Sequence, residues 1–431
     1  MTALNLNSFE AALKVHYTDL RVKNLVYRNN PWLAAIPKME AFGGKMLPLP
    51  LQVGVPQGRS AEFEAAQDNK TPGVYRDFQL TRIRNYGLAA IQNEVLEASV
   101  GNANAFMQAA ASEIDGILRA LTQDLAGGLY ASGAGDRGTV GAAPAFDAVA
   151  LTTEITLSNP TDIVRFETQM RINFTDAAFA FTGNPTPVPP VLTGYEIVAV
   201  NRDLGTFTIA TPLDPTLGVT PVAVGNLIFQ VGDVPDIVGG VPVFKKITGL
   251  RGWLPDVAPV GGPGTSFFGV QRETDPTRLA GIRYDGTAET IEEAMIGAGA
   301  LLFREGGRPD VIFMNPLSYS ELIKSLGSKV VYDLMRSSDV ADVFFEAVRI
   351  HLPSGSAMVV ADPNCPSGRA YMLQMDTWKM YSLGMAPKIL MTDGLRFLRE
   401  NNADAVEVRA GYYAQMGCTA PGWNATIALA T

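Results

Sequence analysis

Cysteine and histidine are nearly missing from this 431-residue chain, which has two of each: Cys365, Cys418, His16 and His351. Two cysteines cannot build a disulfide framework, and no grouping of these four residues has zinc-ligand spacing. Both thiols are expected to be small core residues of a protein kept in reducing surroundings. The histidines stand far apart, in helix or helix-end settings, which speaks against acid–base or metal chemistry centred on them. No run of about 18 apolar residues occurs, and the first thirty residues hold no uninterrupted apolar stretch. Neither a membrane span nor a standard export signal is expected, and the chain is expected to fold in a cytoplasm. Charged residues make up only 18% of the chain and leave a net charge of −9, the wrong sign for a dedicated nucleic-acid binder.

Catalytic signatures are equally scarce. The chain has no phosphate loop of the form G-x-x-x-x-G-K-S/T, no H-E-x-x-H, no G-x-S-x-G and no paired C-x-x-C. Gly133-Ala-Gly-Asp-Arg-Gly138 matches G-x-G-x-x-G, but that pattern cradles a pyrophosphate only between a strand and a helix. Here it follows a helical stretch and precedes Ala/Pro-rich coil, so a flexible linker is expected. Glu289, Glu292 and Glu293 fall at helical spacing and read as a solvated helix face rather than an acid–base pair. Asn173-Phe-Thr175 and Asn424-Ala-Thr426 match the glycosylation acceptor, which has no meaning without export. Trp32, Trp253, Trp378 and Trp423 are scattered rather than interleaved with basic residues, so they are expected to anchor a core or an interface. No catalytic residue, metal or cofactor is expected.

What the chain does have is apolar content, 47% of residues, and length for about three domains. Its charge is uneven. Residues 1–45 carry Lys14, Arg21, Lys23, Arg28, Lys38 and Lys45 against Glu10, Asp19 and Glu40, a net of +3 that leaves −12 for the rest. Such a basic arm suits contact with another subunit or a polyanion. Ser8, with Glu10 in the first turn, caps a helix over about 8–25 that Asn29-Asn30-Pro31 ends.

Residues 46–53 then extend, with Pro48 and Pro50 confining them to a sheet edge or a projecting hairpin arm. A polar tip at 59–73 separates that arm from a returning one, 74–90. A hairpin this long cannot bury itself alone, and a neighbouring copy of the chain is the economical support. From about 104 to 126 runs the strongest helix, with Met107, Ala111, Ile114, Leu118, Leu121 and Leu125 on one stripe and Gly127-Gly128 beyond its end.

From 151 to 239 the signals become β, with strands expected at 163–166, 195–200, 206–209 and 227–231 and a proline-rich link at 185–190. They read as a small inserted β module. Mixed α/β character follows, with helices expected near 289–304, 316–326 and 339–349. Residues 310–314 form a short buried strand that runs into Asn315-Pro316, a cap followed by a first-turn proline. Strands at 356–363, 369–375 and 378–383 come next. The last stretch alternates with period two over 404–418, with Val406, Val408, Ala410, Tyr412, Ala414, Met416 and Cys418 on one face and Glu407, Arg409, Gly411, Tyr413, Gln415 and Gly417 on the other. Turn residues 419–422 then allow 423–430 to return antiparallel beside it.

In this order the elements resemble the major capsid proteins of tailed bacteriophages. The resemblance rests on the arm, the projecting hairpin, the long helix, Pro309-Asp-Val-Ile-Phe-Met-Asn-Pro316, Val359-Val-Ala-Asp-Pro363 and the terminal strands. It implies an α+β chain of the Hong Kong phage capsid fold: an N-terminal arm (1–45), an extended hairpin loop (46–92), a spine helix with peripheral sheet (93–150 and 401–431), an axial α/β domain (240–400) and an inserted β module (151–239).

It further implies a mechanical role, with subunits gathered into hexamers and pentamers, no catalysis, and each hairpin laid over a neighbour's spine helix or peripheral sheet. Glu62, Glu64 and Asp68 at the tip and Arg76, Arg82 and Arg84 on the returning arm then become the expected intersubunit contacts. Packaged double-stranded DNA, a portal and a separate scaffolding protein are the implied partners, and the virion, assembled in a bacterial cytoplasm, the implied location. Some members weld subunits through a hairpin lysine and a peripheral asparagine. Lys70 is the sole lysine of the hairpin here, and no partner asparagine is identifiable. A cellular nanocompartment shell of the same fold, and an enzyme with a β accessory domain, are the alternatives.

Overall fold

A computed structural model describes residues 30–93, 103–147, 149–182, 194–210, 222–261, 265–326, 348–391, 398–399 and 403–430. The helix expected over 8–25, His16, the link at 185–190 and positions 339–347 lie outside these residues. After a short helix, Pro31–Ala35, come β1 (Lys38–Met39), β2 (Met46–Gly54), β3 (Val74–Thr81) and β4 (Ile83–Gln92), and then the long helix Ala103–Gly128, about 39 Å at 1.5 Å per residue. The module contributes β5 (Asp136–Thr139), β6 (Ala145–Asp147), β7 (Thr152–Thr156), β8 (Arg171–Thr175), β9 (Phe181–Thr182), β10 (Tyr195–Asn201), β11 (Thr206–Ile209) and β12 (Leu227–Gln230). A ribbon of β13 (Asp236–Val238) and β14 (Val241–Val243) follows, then β15 (Ile282–Gly286), β16 (Val311–Met314), β17 (Val348–Leu352), β18 (Gly355–Ala361), β19 (Arg369–Leu373), β20 (Trp378–Ser382), β21 (Lys388–Ile389), β22 (Leu398–Arg399), β23 (Ala405–Cys418) and β24 (Ala425–Leu429).

Three cores result. The first lies between the long helix and the sheet organised by β23, which pairs β4 along one side and β20, β21 and β22 along the other, with β1 parallel to β20. Leu121, Leu125 and Leu129 pack there with Ala410, Tyr412 and Met416. Gly87 of β4 admits the helix: a Cβ at this position would lie 2.8 Å from Ile117 Cγ1 and 3.1 Å from Leu121 Cδ1. The second core is the six-stranded sheet β15-β24-β19-β16-β18-β17 with helices Ile291–Arg304 and Pro316–Leu326. The third is the module's antiparallel sheet, β5-β12-β8-β10-β11-β7-β6, with β9 beside β8.

Several expectations hold at the residue level. β16 is buried throughout, Asn315 Oδ1 accepts from Leu317 N at 3.0 Å to cap the next helix, and Pro316 takes that helix's first position. Cys365 and Cys418 are free and buried. Other expectations are corrected. Residues 163–165 belong to a 3₁₀ helix, Pro160–Arg165, and Phe166 is its C-cap, because Asn159 caps the helix start through Thr161 N and Pro160 fixes its first turn. Ile163 and Phe166, three apart, then both face the module core, where Phe166 stacks on Phe207 with ring centres 4.9 Å apart. Val348 and Arg349 lie in a strand, β17, rather than a helix. Gly138, expected in a linker, is in β5, so β structure begins before 151.

The terminal hairpin does not form. β24 pairs β19 antiparallel and β15 parallel, in the second sheet, and does not touch the ladder of β23. Ala425, Thr426, Ile427 and Leu429 are buried, so both faces of β24 are covered, which suits a central strand and not a half-exposed partner. β23 is buried on both faces over Ala414–Cys418, whereas Arg409 is exposed and Tyr413 half-buried on its mixed row. Gln415, on its mixed row, is 1% exposed and accepts from Thr248 N at 2.9 Å, while Gly417 faces Leu80 and Leu49.

Candidate assembly surface

The hairpin is pinned at its root and bare at its tip. β2 and β3 pair from Met46↔Thr81 to Gly54↔Val74, and there the ladder ends. Past Arg82 the chain joins β23 as β4, so the returning arm splits into a hairpin strand and a sheet strand. At the root Leu49, Phe78 and Leu80 are buried in the chain's own first core. Phe78 meets Trp253 and Phe267 edge-on at 5.0 and 6.1 Å. Gln79 N donates to Phe268 O at 2.9 Å, and Arg278 Nη1 to Val53 O at 2.6 Å. The tip carries a single helix, Phe63–Asp68, with no buried residue, and Phe63 is 76% exposed. Val55, Val74 and Tyr75 are exposed on the same hairpin, and several exposed apolar side chains on one element, rather than one alone, mark a surface that is covered in an assembly.

The six residues expected to make contacts divide. Glu62, Glu64 and Asp68 are exposed, at the N-cap and within the tip helix that Phe63 begins. Arg76 is exposed on β3 and bonds only the neighbouring Tyr75 carbonyl among the described residues. Arg84 is exposed on β4 opposite Tyr413. Arg82 is engaged at home: its guanidinium donates to the Phe42 carbonyl and lies 5.0 Å from the centre of the Phe42 ring. No ion pair joins these acids to these arginines among the described residues. Lys70 lies just past the tip helix and is exposed. Beside Arg84, the outer face of β4, β21 and β23 forms a groove of about 780 Å³ whose lining includes Tyr86, Leu88, Lys388, Met391, Arg409 and Tyr413.

Behind this surface, two buried polar hubs weld the chain's layers. Asp124 on the long helix accepts from Arg137 of β5 at 2.5 Å, from Lys246 at 2.9 Å and from Asn85 of β4 at 2.6 Å, and Lys246 reaches on to Asp233 at 3.0 Å. Burial pushes the Asp124 carboxyl up, but Arg137 and Lys246 outweigh it and hold it at about 2. Asp362, 1% exposed, takes Trp32 N at 3.0 Å and Tyr130 OH at 2.9 Å on one oxygen and Asn364 N at 2.8 Å on the other. Burial raises its pKa although these bonds oppose it. It ties the entering arm, the end of the long helix and the second sheet together.

The remaining sequence candidates are structural. Asn424 is fully buried. It donates to Thr377 Oγ1 and Ala420 O and accepts from Trp378 Nε1 and Gln374 N, and so joins two sheets and cannot carry a glycan. Asn173 is buried in the module. Glu289 and Glu293 are exposed, as a solvated helix face requires, and Glu293 also closes a capping box with Thr290, a T-x-x-E signature legible in the sequence. Gly133 to Gly138 runs from helix to strand, the reverse of the dinucleotide context. Among the described residues no helix is long and apolar enough to cross a membrane, and no cluster of three or more metal-ligating side chains occurs.

No family model and no curated protein matches the chain. Solved structures do. A subunit of the cyanophage A-1(L) capsid asymmetric unit superposes over 98% of both chains with a TM-score of 0.54 at 13% identity. The chain has the Hong Kong phage capsid fold. Matches at lower TM-score include the capsid of a native GTA particle (0.44, 8% identity, 100% of both chains) and Mycobacterium phage Bobi (0.41, 9% identity, 100% of both chains). In capsid-fold terms Ala103–Gly128 is the spine helix, the β23 sheet is peripheral and the β15–β19 sheet, completed by β24, is axial.

Proposed function

We propose that this chain is the major shell subunit of a tailed-phage head, assembling with copies of itself into hexamers and pentamers around double-stranded DNA. The observation that carries this reading is the capsid fold along 98% of the chain, combined with a hairpin fixed at its root and uncovered at its tip. On this reading Phe63, Glu62, Glu64 and Asp68 of one subunit meet a neighbour's peripheral face, where Arg84 and Lys388 offer opposite charge, Arg409 being paired with Glu407 of its own strand. The role is mechanical and uses no catalytic group. The division into arm (1–45), hairpin (46–92), spine and peripheral parts (93–150, 401–431), module (151–239) and axial domain (240–400) belongs to the same proposal, with β24 moved to the axial sheet.

The chain's acid excess suits a container, since a strongly basic inner wall would hold packaged DNA electrostatically. A separate scaffolding protein, a portal and assembly in the bacterial cytoplasm complete the proposal. Sedimentation and negative-stain microscopy of the purified chain, alone and with its genomic neighbours, test it. Rings, sheets or megadalton shells are expected. A protein that stays monomeric under all these conditions overturns it.

A further inference from the structure

The ribbon formed by β13 and β14 stands apart from every sheet: among the described residues its two strands pair only with each other. A two-stranded hairpin is marginal in water without a third partner. This one is also apolar outside: Ile237 is 50% exposed and Val238 65%, and Val241, Val243 and Phe244 are exposed as well. Its charge is spent at home, since Lys245 pairs with Asp236 at 2.7 Å.

The register decides which edge is open. Gly239 and Gly240, at φ of 61° and 80°, make the two-residue turn, so Val238 and Val241 bond each other. The next pair, Ile237 and Pro242, is then a non-hydrogen-bonded pair whose backbone polar groups face outward. Pro242 has no N–H, which blanks the β14 edge. The β13 edge keeps both the donor and the acceptor of Ile237. Ile237 also lines a niche of about 240 Å³ together with Asn173, Phe179, Val234 and the mutually paired Asp236 and Lys245, among others. The amide nitrogen of Asn173 is buried there with no acceptor among the described residues. An uncharged extended strand that brings an apolar side chain and carbonyl oxygens fits both features.

We propose that the occupant is the same ribbon of a second copy, joined β13 to β13 across a twofold axis into a four-stranded sheet. This inference rests on the shell reading, which supplies the neighbouring copy. A neutral, self-paired ribbon with one open edge is its own complement: antiparallel pairing through that edge sets Ile237 against Ile237 and lets the two residues exchange both backbone bonds. Val238 of each copy then falls beside the other's Asp236, already neutralised by Lys245.

The test is site-directed cross-linking in assembled particles with a short bismaleimide. Cys365 and Cys418 are buried, so Ile237→Cys provides the reactive thiol. Val241→Cys is the register control, because residues on the two outer strands would lie about 14 Å apart, three strand spacings. Circular dichroism confirms that both variants fold. The expected result is conversion of the Ile237→Cys monomer band to a covalent dimer in particles but not in dissociated subunits, with Val241→Cys remaining monomeric. Particles that form normally without the Ile237→Cys dimer, or that link Val241→Cys equally well, overturn the ribbon contact and leave the shell reading standing. Linkage to a different protein also overturns it. Absence of particles under every condition overturns the shell reading and this inference together.

Discussion

Asp124 and Arg137 meet at 2.5 Å between the spine helix and the first strand of the β module, and Lys246 closes on the same carboxylate from the chain leaving the ribbon. All three side chains are less than one-fifth exposed. The inserted module is therefore clamped to the spine at both its entry and its exit by one acid. Asp124→Asn leaves two buried cations without their shared counter-charge, and the expected loss is about 3 kcal/mol of unfolding free energy, read by chemical denaturation of the unassembled chain.

The same carboxylate gives the clamp a pH signature. Asp124 titrates at about 2 in the fold against an ordinary 3.8, so the folded state binds this proton later than the unfolded one. Its contribution is complete above about pH 4 and is lost as pH falls toward 2. Asp233, which burial raises despite Lys246, acts in the opposite sense. The stability gap between the native chain and Asp124→Asn is thus expected to close between pH 4 and pH 2. Denaturation midpoints measured across that range check it, and a gap that stays constant would rule out the titration.

Gly87 predicts a purely steric effect. Its Cβ space is taken by Ile117 at 2.8 Å and Leu121 at 3.1 Å, with no positive φ to add strain. Gly87→Ala is expected to cost about 1–3 kcal/mol by pushing the spine helix off β4. Ile117→Val removes the Cδ1 methyl from the crowded spot. The double variant should therefore lose less than the sum of the single losses, a coupling that a double-mutant cycle measures.

Much of the local structure was legible in the residues, and most of the pairing was not. β11 falls at the expected 206–209, and the Asn315-Pro316 boundary is a cap followed by a first-turn proline, because caps and periodicity act within a few neighbouring residues. The partner of β24 is not legible, because a period-two pattern reports how a strand is buried and not which strand buries it. At residues 163–166 β-branched content points to a strand, while the Asn159-Pro160 start signal just before them sets the 3₁₀ turn. Of the candidate surface, the acidic tip could be read directly. The home contact of Arg82 with Phe42, 40 residues away, could not, and neither could the Asp124 hub, whose partners lie 13, 39 and 122 residues distant.

Asp362 offers a second stability test. It holds four donors and, among the described residues, no cation, so Tyr130→Phe removes one bond to a buried carboxylate without changing shape. The expected cost is about 1.5–3 kcal/mol. Because Trp32 N shares that oxygen, amide exchange at Trp32 should quicken in the same variant. Unchanged exchange would separate the arm from the hub.

The tip gives the sharpest separation of folding from assembly. Arg82 is a poor probe, since reversing its charge disrupts its packing on Phe42 within the same chain. Phe63→Ser with Glu64→Lys changes only exposed residues of a helix that buries nothing, so the unfolding free energy of the isolated subunit should move by less than about 0.5 kcal/mol. Assembly should respond strongly, because the variant removes an aromatic anchor and inverts a charge where opposite charges are proposed to meet. Arg84→Glu, on the receiving face, should likewise slow assembly, and more so at low salt, where exposed charges are least screened. Light scattering of assembly at two ionic strengths reads both variants. Particles that form at native rate from Phe63→Ser/Glu64→Lys would remove the tip from the interface and leave its exposed phenylalanine without a partner.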